Sequence, residues 1–232
     1  MYCSKCGREY SLEEGNRFCP SCGNRLSSQE YQHSCPWENL ETLGFLDALG
    51  STLRESLFSP VRFFSSMPTA GGWLHPILYA VIVGTAGNLA GYLLSSFFEI
   101  PFVSQGKLSR GMVFFMAVIM PVLVWLGTIF GSAILHGSIL LFGAKKEPFE
   151  ATLRIVSYAT SPDVFNAIPA IGWLIAALWK VVLIIIGVRE VHMVSTARAT
   201  LVTLFPFLLI WGVLFVVILV MMATAVMGIR SI

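Results

Sequence analysis

Residues 157–199 read "SYATSPDVFNAIPAIGWLIAALWKVVLIIIGVREVHMVSTARA". The half after Gly172 is apolar enough to cross a bilayer, yet it carries Lys180 near its middle. The half before it is interrupted by Ser157, Thr160, Ser161, Asp163 and Asn166. If both halves cross, the stretch is a hairpin and its flanking segments share one side of the membrane. The tightest turn signal is "PAIG", Pro169 to Gly172. From its centre Asp163 lies about seven residues back and Lys180 about ten forward, a depth difference of a few ångströms at ~1.5 Å per residue. A charge at membrane depth is rare and normally pairs or faces a cavity. Asp163 is therefore the expected partner of Lys180. "TSPD" also reads as a helix break, because Pro162 has no amide hydrogen and Ser161 or Asp163 can satisfy the freed backbone groups. Such breaks occur in transporters and in plain packing. The pair is either a structural link between two helices or part of a path.

The rest of the chain sets the context. Of 232 residues, 56% are apolar and only 12% charged, with a mean hydropathy of +0.75. Ordinary globular chains carry about twice that charge fraction. A water-soluble body could not be covered with so little polar surface, so the composition implies a multi-span membrane protein. Five segments qualify as spans of about 20 residues: 73–97, 112–142, 151–169, 172–189 and 200–227. The second exceeds a span, and Pro121 is expected to kink it. Loop charge orients them, because cytoplasmic loops collect Lys and Arg. Lys5, Arg8, Arg17, Arg25, Arg54 and Arg62 precede the first span, Lys145, Lys146 and Arg154 follow the second, and Arg189 and Arg198 follow the fourth. These fall on one side only if 151–189 crosses twice. Lys107, Arg110 and Arg230 take the other side. The expectation is five spans, with the N-terminus cytoplasmic and the C-terminus outside.

The polar N-terminus holds the sharpest motif, "CSKCGREYSLEEGNRFCPSCGNRL". Cys3 and Cys6 form one Cys-x-x-Cys pair, Cys19 and Cys22 another, and each pair ends in Cys-Gly. The glycine allows the tight turn that aims backbone amides at thiolates. Two such turns supply the four tetrahedral ligands that zinc takes in a closed, structural site. A cytosolic setting disfavours the alternative of disulfides or a redox dithiol. So small a module has almost no core, and the metal folds it. It would bind a protein partner. Nucleic acid is disfavoured, because Glu9, Glu13 and Glu14 offset the basic residues.

Residues 27–39 read as linker, with His33 and Cys35 outside the metal pattern. Residues 40–66 place Leu46, Leu49, Leu53 and Leu57 at helical spacing. They form an amphipathic helix ending near Pro60, which either lies in the interface or packs on its own protein. The fold class is an all-α polytopic membrane protein of about five transmembrane helices, carrying a small β-rich zinc ribbon. Its divisions are the ribbon at 1–26, the linker and interfacial helix at 27–66, and the membrane domain at 67–232.

Inside the membrane, small residues let helices approach. Gly87 with Gly91, and Gly127 with Gly131, are spaced four apart and read as packing faces, within one chain or between copies in a homo-oligomer. Asn88 is expected to donate an interhelical hydrogen bond. His136 and His192 read as hydrogen-bonded structural residues. No catalytic set appears, neither spaced carboxylates nor a nucleophile elbow, His-Glu-x-x-His or phosphate loop, so a non-enzymatic protein is expected.

"LFSPVRFFSSMPTAGGWLHPILYA" resembles the approach to the first span in prokaryotic members of the Yip-one domain family. The 157–199 stretch resembles that family's third and fourth spans and the loop after them. The likeness covers roughly residues 55 to 225, and the ribbon is a fusion outside the family core. The resemblance implies five spans, a cytoplasmic N-terminus and a prokaryotic cell membrane. Eukaryotic members are tied to vesicle trafficking and contact small Rab-type GTPases or one another. This chain lacks their short aspartate-tyrosine-glycine-proline signature, so that contact is not carried over. Two functions are left: a membrane adaptor or organiser whose ribbon binds a cytoplasmic protein, or a transporter for an ion, lipid or small molecule using Asp163 and Lys180.

Overall fold

The computed structural model describes residues 35–97, 110–144 and 147–209, together with 212 and 221. The described residues are helical and contain no strand. The expected ribbon at 1–26 and the last part of the expected fifth span lie outside them. A 3-10 turn, Pro36–Asn39, leads into α1 (Leu40–Leu43), α2 (Phe45–Phe58), α3 (Pro60–Ser66), α4 (Leu74–Phe97), α5 (Arg110–Leu141) and α6 (Phe149–Tyr158). A second 3-10 segment, Ser161–Ala167, precedes α7 (Gly172–His192). An apolar helix, α8, covers Thr196–Leu209.

Among the described residues, two helices are long and apolar enough by themselves to cross a bilayer: Leu74–Ser95 within α4 and Gly111–Leu141 within α5. Pro76 falls in the first turn of α4, where its missing N–H breaks no helical bond. The second helix continues through Pro121. At ~1.5 Å per residue it is much longer than the roughly 30 Å hydrocarbon layer.

The expected third span is not one helix. After Tyr158 the chain leaves the α conformation, because Pro162 cannot donate to the next turn. The freed groups are met locally: Asp163 N–H donates to the Thr160 carbonyl, and Ser161 Oγ donates to the Tyr158 carbonyl. The 3-10 segment then ends at Ile168, and the turn to α7 places Ala170 at φ 69°.

Contacts along α4 give the order of these pieces. Arg154 reaches the Gly72 carbonyl just before α4. Tyr79 meets Ser161. Gly84 and Gly87 face Asp163, and Gly91 faces Asn166. The broken helix thus runs beside α4 over about 25 Å. The return is made by α7, with Gly172 against Phe165, Lys180 at Asp163, and Gly187 against Ile155. Together they form a hairpin beside much of α4. In its first arm, α6 buries Ala151, Leu153, Arg154, Ile155 and Tyr158.

Two N-terminal expectations differ from the structure. Cys35–Asn39 is not linker, because Cys35 and Trp37 lie in the core and the Trp37 indole donates to the His75 carbonyl. The single amphipathic helix is three helices. Gly44, at φ 78°, separates α1 from α2, and Ser59–Pro60 separates α2 from α3. The buried face of α2 is Ala48, Thr52 and Ser56 with Leu57, whereas Leu46 is 77% exposed. Leu49 and Leu53 pack, partly buried, against the same core, and the small Ala48, Thr52 and Ser56 let α2 approach its neighbours closely.

Candidate functional site

Three polar centres are strung along α6 and its 3-10 continuation. The first lies at the N-terminal end of α4. Glu38 Oε1 accepts from Arg154 Nη1 at 2.5 Å and from Tyr158 Oη at 2.6 Å. Arg154 Nη2 donates to the Gly72 carbonyl at 2.9 Å and lies 3.4 Å from Glu150 Oε1. Glu150 in turn accepts the Gly72 amide at 2.7 Å. The guanidinium is fully buried, and it binds the Cys35–Asn39 segment to α6 across 116 residues of sequence. A buried charge needs such a partner, because removing one member leaves the other uncompensated. Beside this clasp, Trp37 N–H donates to Thr52 Oγ1 at 2.9 Å, and Cys35 Sγ lies 3.9 Å from that oxygen. Burial pushes the Cys35 thiol up to about 11, so it is protonated and unreactive at neutral pH.

The second centre is at the hairpin's mid-depth. Lys180 Nζ lies 2.6 Å from Asp163 Oδ1, with the aspartate nearly buried and the lysine 34% exposed. The two helices are thereby linked at the point where the 3-10 segment begins. Gly84 and Gly87 of α4 form the floor, and a Cβ on Gly87 would overlap the Asp163 carbonyl. One α4 turn further on, Asn166 Nδ2 donates to Asn88 Oδ1 at 3.1 Å. Asn88 therefore accepts between helices and spends its own amide on the Gly84 carbonyl at 2.7 Å, the reverse of the expected donation.

The third centre joins α5, α6 and α7. Thr152 Oγ1 lies 2.8 Å from His136 Nδ1 and 3.3 Å from His192 Nε2. Both histidines are buried. Burial first, and the nearby His136 second, hold His192 down at about 4. Its imidazole is neutral at physiological pH.

The glycine motifs divide. Gly87 and Gly91 pack on backbone of the 3-10 segment, while among the described residues nothing comes within 4 Å of a Cβ at Gly127, and Gly131 meets only Val156 at 3.9 Å. The sequence reading missed the packing of Gly84, Gly172 and Gly187, whose Cβ positions press on Val124, Phe165 and Ile155. It also missed Glu38 and Arg154. Arg154 carried a signal, being a charge in a segment expected to span. Among the described residues no three His, Cys, Asp or Glu side chains come together as a metal site. Cys3, Cys6, Cys19 and Cys22 lie outside the described residues.

Among the described residues, these features define a helical membrane protein with a broken, buried helix locked by ion pairs. The family model of the Yip1 domain matches residues 54–227, most of the chain, and the chain belongs to that family. The chain matches no curated protein and no solved structure.

Proposed function

We propose that the chain is a non-enzymatic membrane adaptor or organiser of the Yip1 domain type. In this reading it has five crossings, with the broken α6 and its 3-10 continuation as the third, α7 as the fourth, and the segment from α8 onward as the fifth. Its N-terminus lies in the cytoplasm of a prokaryotic cell and its C-terminus outside. Cys3, Cys6, Cys19 and Cys22 bind one structural zinc ion, and the ribbon so folded binds a cytoplasmic protein. The glycine pair Gly127 and Gly131 leaves a face for a second copy of the chain.

The observation that carries this reading is the clasp of Glu38 on Arg154. The Cys35–Asn39 segment is bound into the core of the bundle, so the chain leading from the cysteine module is anchored to the membrane domain. The Asp163–Lys180 contact supports the same view. It is a closed, neutralised pair seated on glycine backbone, suited to holding helices. The test is affinity purification from native membranes with the intact protein and a Cys19→Ser, Cys22→Ser variant. A specific partner captured by the first and lost from the second is the expected result. The same proteins with both, or none with either, would move the weight to the membrane domain.

One observation favours a second reading. A broken helix bearing a charged pair at mid-depth is also the arrangement of a substrate path. A transporter for an ion, lipid or small molecule would show flux in liposomes after removal of residues 1–34. An organiser would show none.

A further inference from the structure

The α2–α3 hairpin follows the wall of the bundle downward and back. Midway along α2, Thr52 holds Trp37 at the level of His75, the beginning of α4. One turn later, Ser56 Oγ lies 2.7 Å from Ser161 Oγ, which also meets Tyr79. At the end of α2, Leu57 and Phe58 stand beside Leu178, Trp179 and Val182, the middle of α7. The chain then turns at Ser59–Pro60, and by Phe64 it has climbed back to Gly187. Five to nine residues of α7 separate these two levels, so the tip is roughly 10 Å deeper than the hairpin's ends.

The side chains follow the depth. Phe58 is 76% exposed at the tip, and Val61 is also exposed. Arg54 and Glu55 lie a turn above it on one arm and Arg62 on the other, all exposed. An open apolar groove of about 470 Å³ runs between the tip and α7, and it is continuous with the outward face of Leu178 and Trp179.

We propose that α2–α3 is a wedge that inserts its Phe58 tip into the acyl layer of the leaflet at α4's N-terminal end. The occupant of the groove and the surround of the tip are lipid chains. Three observations carry this: the tip is apolar while its shoulders are charged, it lies at the depth of a lipid-facing helix, and its surface joins that helix's surface without a polar break. A depth of about 5–10 Å is where amphipathic helices settle in an interface. Two short helices entering one leaflet beside a bundle that crosses both would add area to that leaflet alone. The inference rests on the reading of α7 as a crossing helix, and it is independent of the ribbon's role.

The test uses the full chain in phospholipid liposomes with the photoreactive p-benzoylphenylalanine at position 58. Irradiation followed by mass analysis gives the product, and the same residue at position 178 reports whether α7 itself meets lipid. The expected result is a phospholipid adduct at both positions. A peptide adduct at 58, from another segment or a second copy, would overturn the wedge, as would recovery of the unreacted ketone with no adduct. If 178 gives lipid and 58 does not, the wedge alone fails. If neither gives lipid, the crossing of α7 fails with it.

Discussion

The Glu38–Arg154 pair and the Asp163–Lys180 pair are of similar length, 2.5 and 2.6 Å, but they are built differently. The first joins a fully buried guanidinium to a glutamate that also accepts from Tyr158, with Glu150 and a backbone carbonyl on Nη2. The second is a bare pair between two adjacent arms of a hairpin, and its lysine remains a third exposed. The clasp at the layer's edge can recruit loops and backbone as partners. The pair at depth has only helix faces around it, and there glycines bring the backbone close. The difference shows what each pair can do: one attaches a distant segment, the other sets the register of a hairpin.

The largest effect is expected at the clasp. Glu38→Ala leaves Arg154 buried without its nearest counter-charge, and a loss of about 3–5 kcal/mol is expected, read as thermal unfolding in detergent. Arg154→Met with Glu38→Gln should recover most of it. If Glu38→Ala is neutral, the clasp is not what holds Cys35–Asn39.

At the deeper pair, Asp163→Asn or Lys180→Met alone should cost less, about 2 kcal/mol, because a polar or partly exposed group remains. The glycines sharpen the contrast. Gly87→Ala forces a Cβ onto the Asp163 carbonyl and should cost about 1–3 kcal/mol as overpacking. Gly127→Ala meets nothing among the described residues and should be neutral or slightly stabilising through helix propensity, by under ~1 kcal/mol. A destabilising Gly127→Ala in the reconstituted protein would instead point to a second copy on that face.

The smallest expected effect is a pH dependence at His192, past the membrane end of α7. Its folded value, about 4, lies below its ordinary 6.5. The unfolded chain takes up a proton that the folded chain refuses. Stability from this residue is thus full above about pH 6.5 and declines as pH falls toward 4. Unfolding temperatures across that window should drop in the native chain and drop less in His192→Gln.

Much of the membrane domain was legible in the sequence. The long apolar runs of α4 and α5 have the length and composition of spans, and Pro162 after Thr160–Ser161 marks the break because no residue type replaces the missing amide. Depth counting from the Pro169–Gly172 turn sufficed to put Asp163 opposite Lys180. The N-terminal packing was hidden for physical reasons. The leucine spacing in α2 leaves open whether the helix lies in the interface or packs on the protein, and it does not single out Ala48, Thr52 and Ser56, which are fully buried while Leu46 faces outward. Small residues permit close approach. Glu38 had no local signal, since its partner lies 116 residues away and its own surroundings have the composition of a linker. The same spacing of glycines at 87–91 and 127–131 led to one tight contact and one bare face, because spacing states that a close approach is possible and not where the partner is.

The most direct test of the account is a double-mutant cycle at the deep pair, measured as unfolding in detergent and as flux in liposomes. The variants are Asp163→Asn, Lys180→Met and the two combined. A structural lock predicts that each single change destabilises, that the double variant regains most of the loss through coupling of about 1–3 kcal/mol, and that no variant alters flux. Additive losses without coupling, or a flux present in the native chain and abolished in a stable double variant, would contradict the lock and make the pair part of a path.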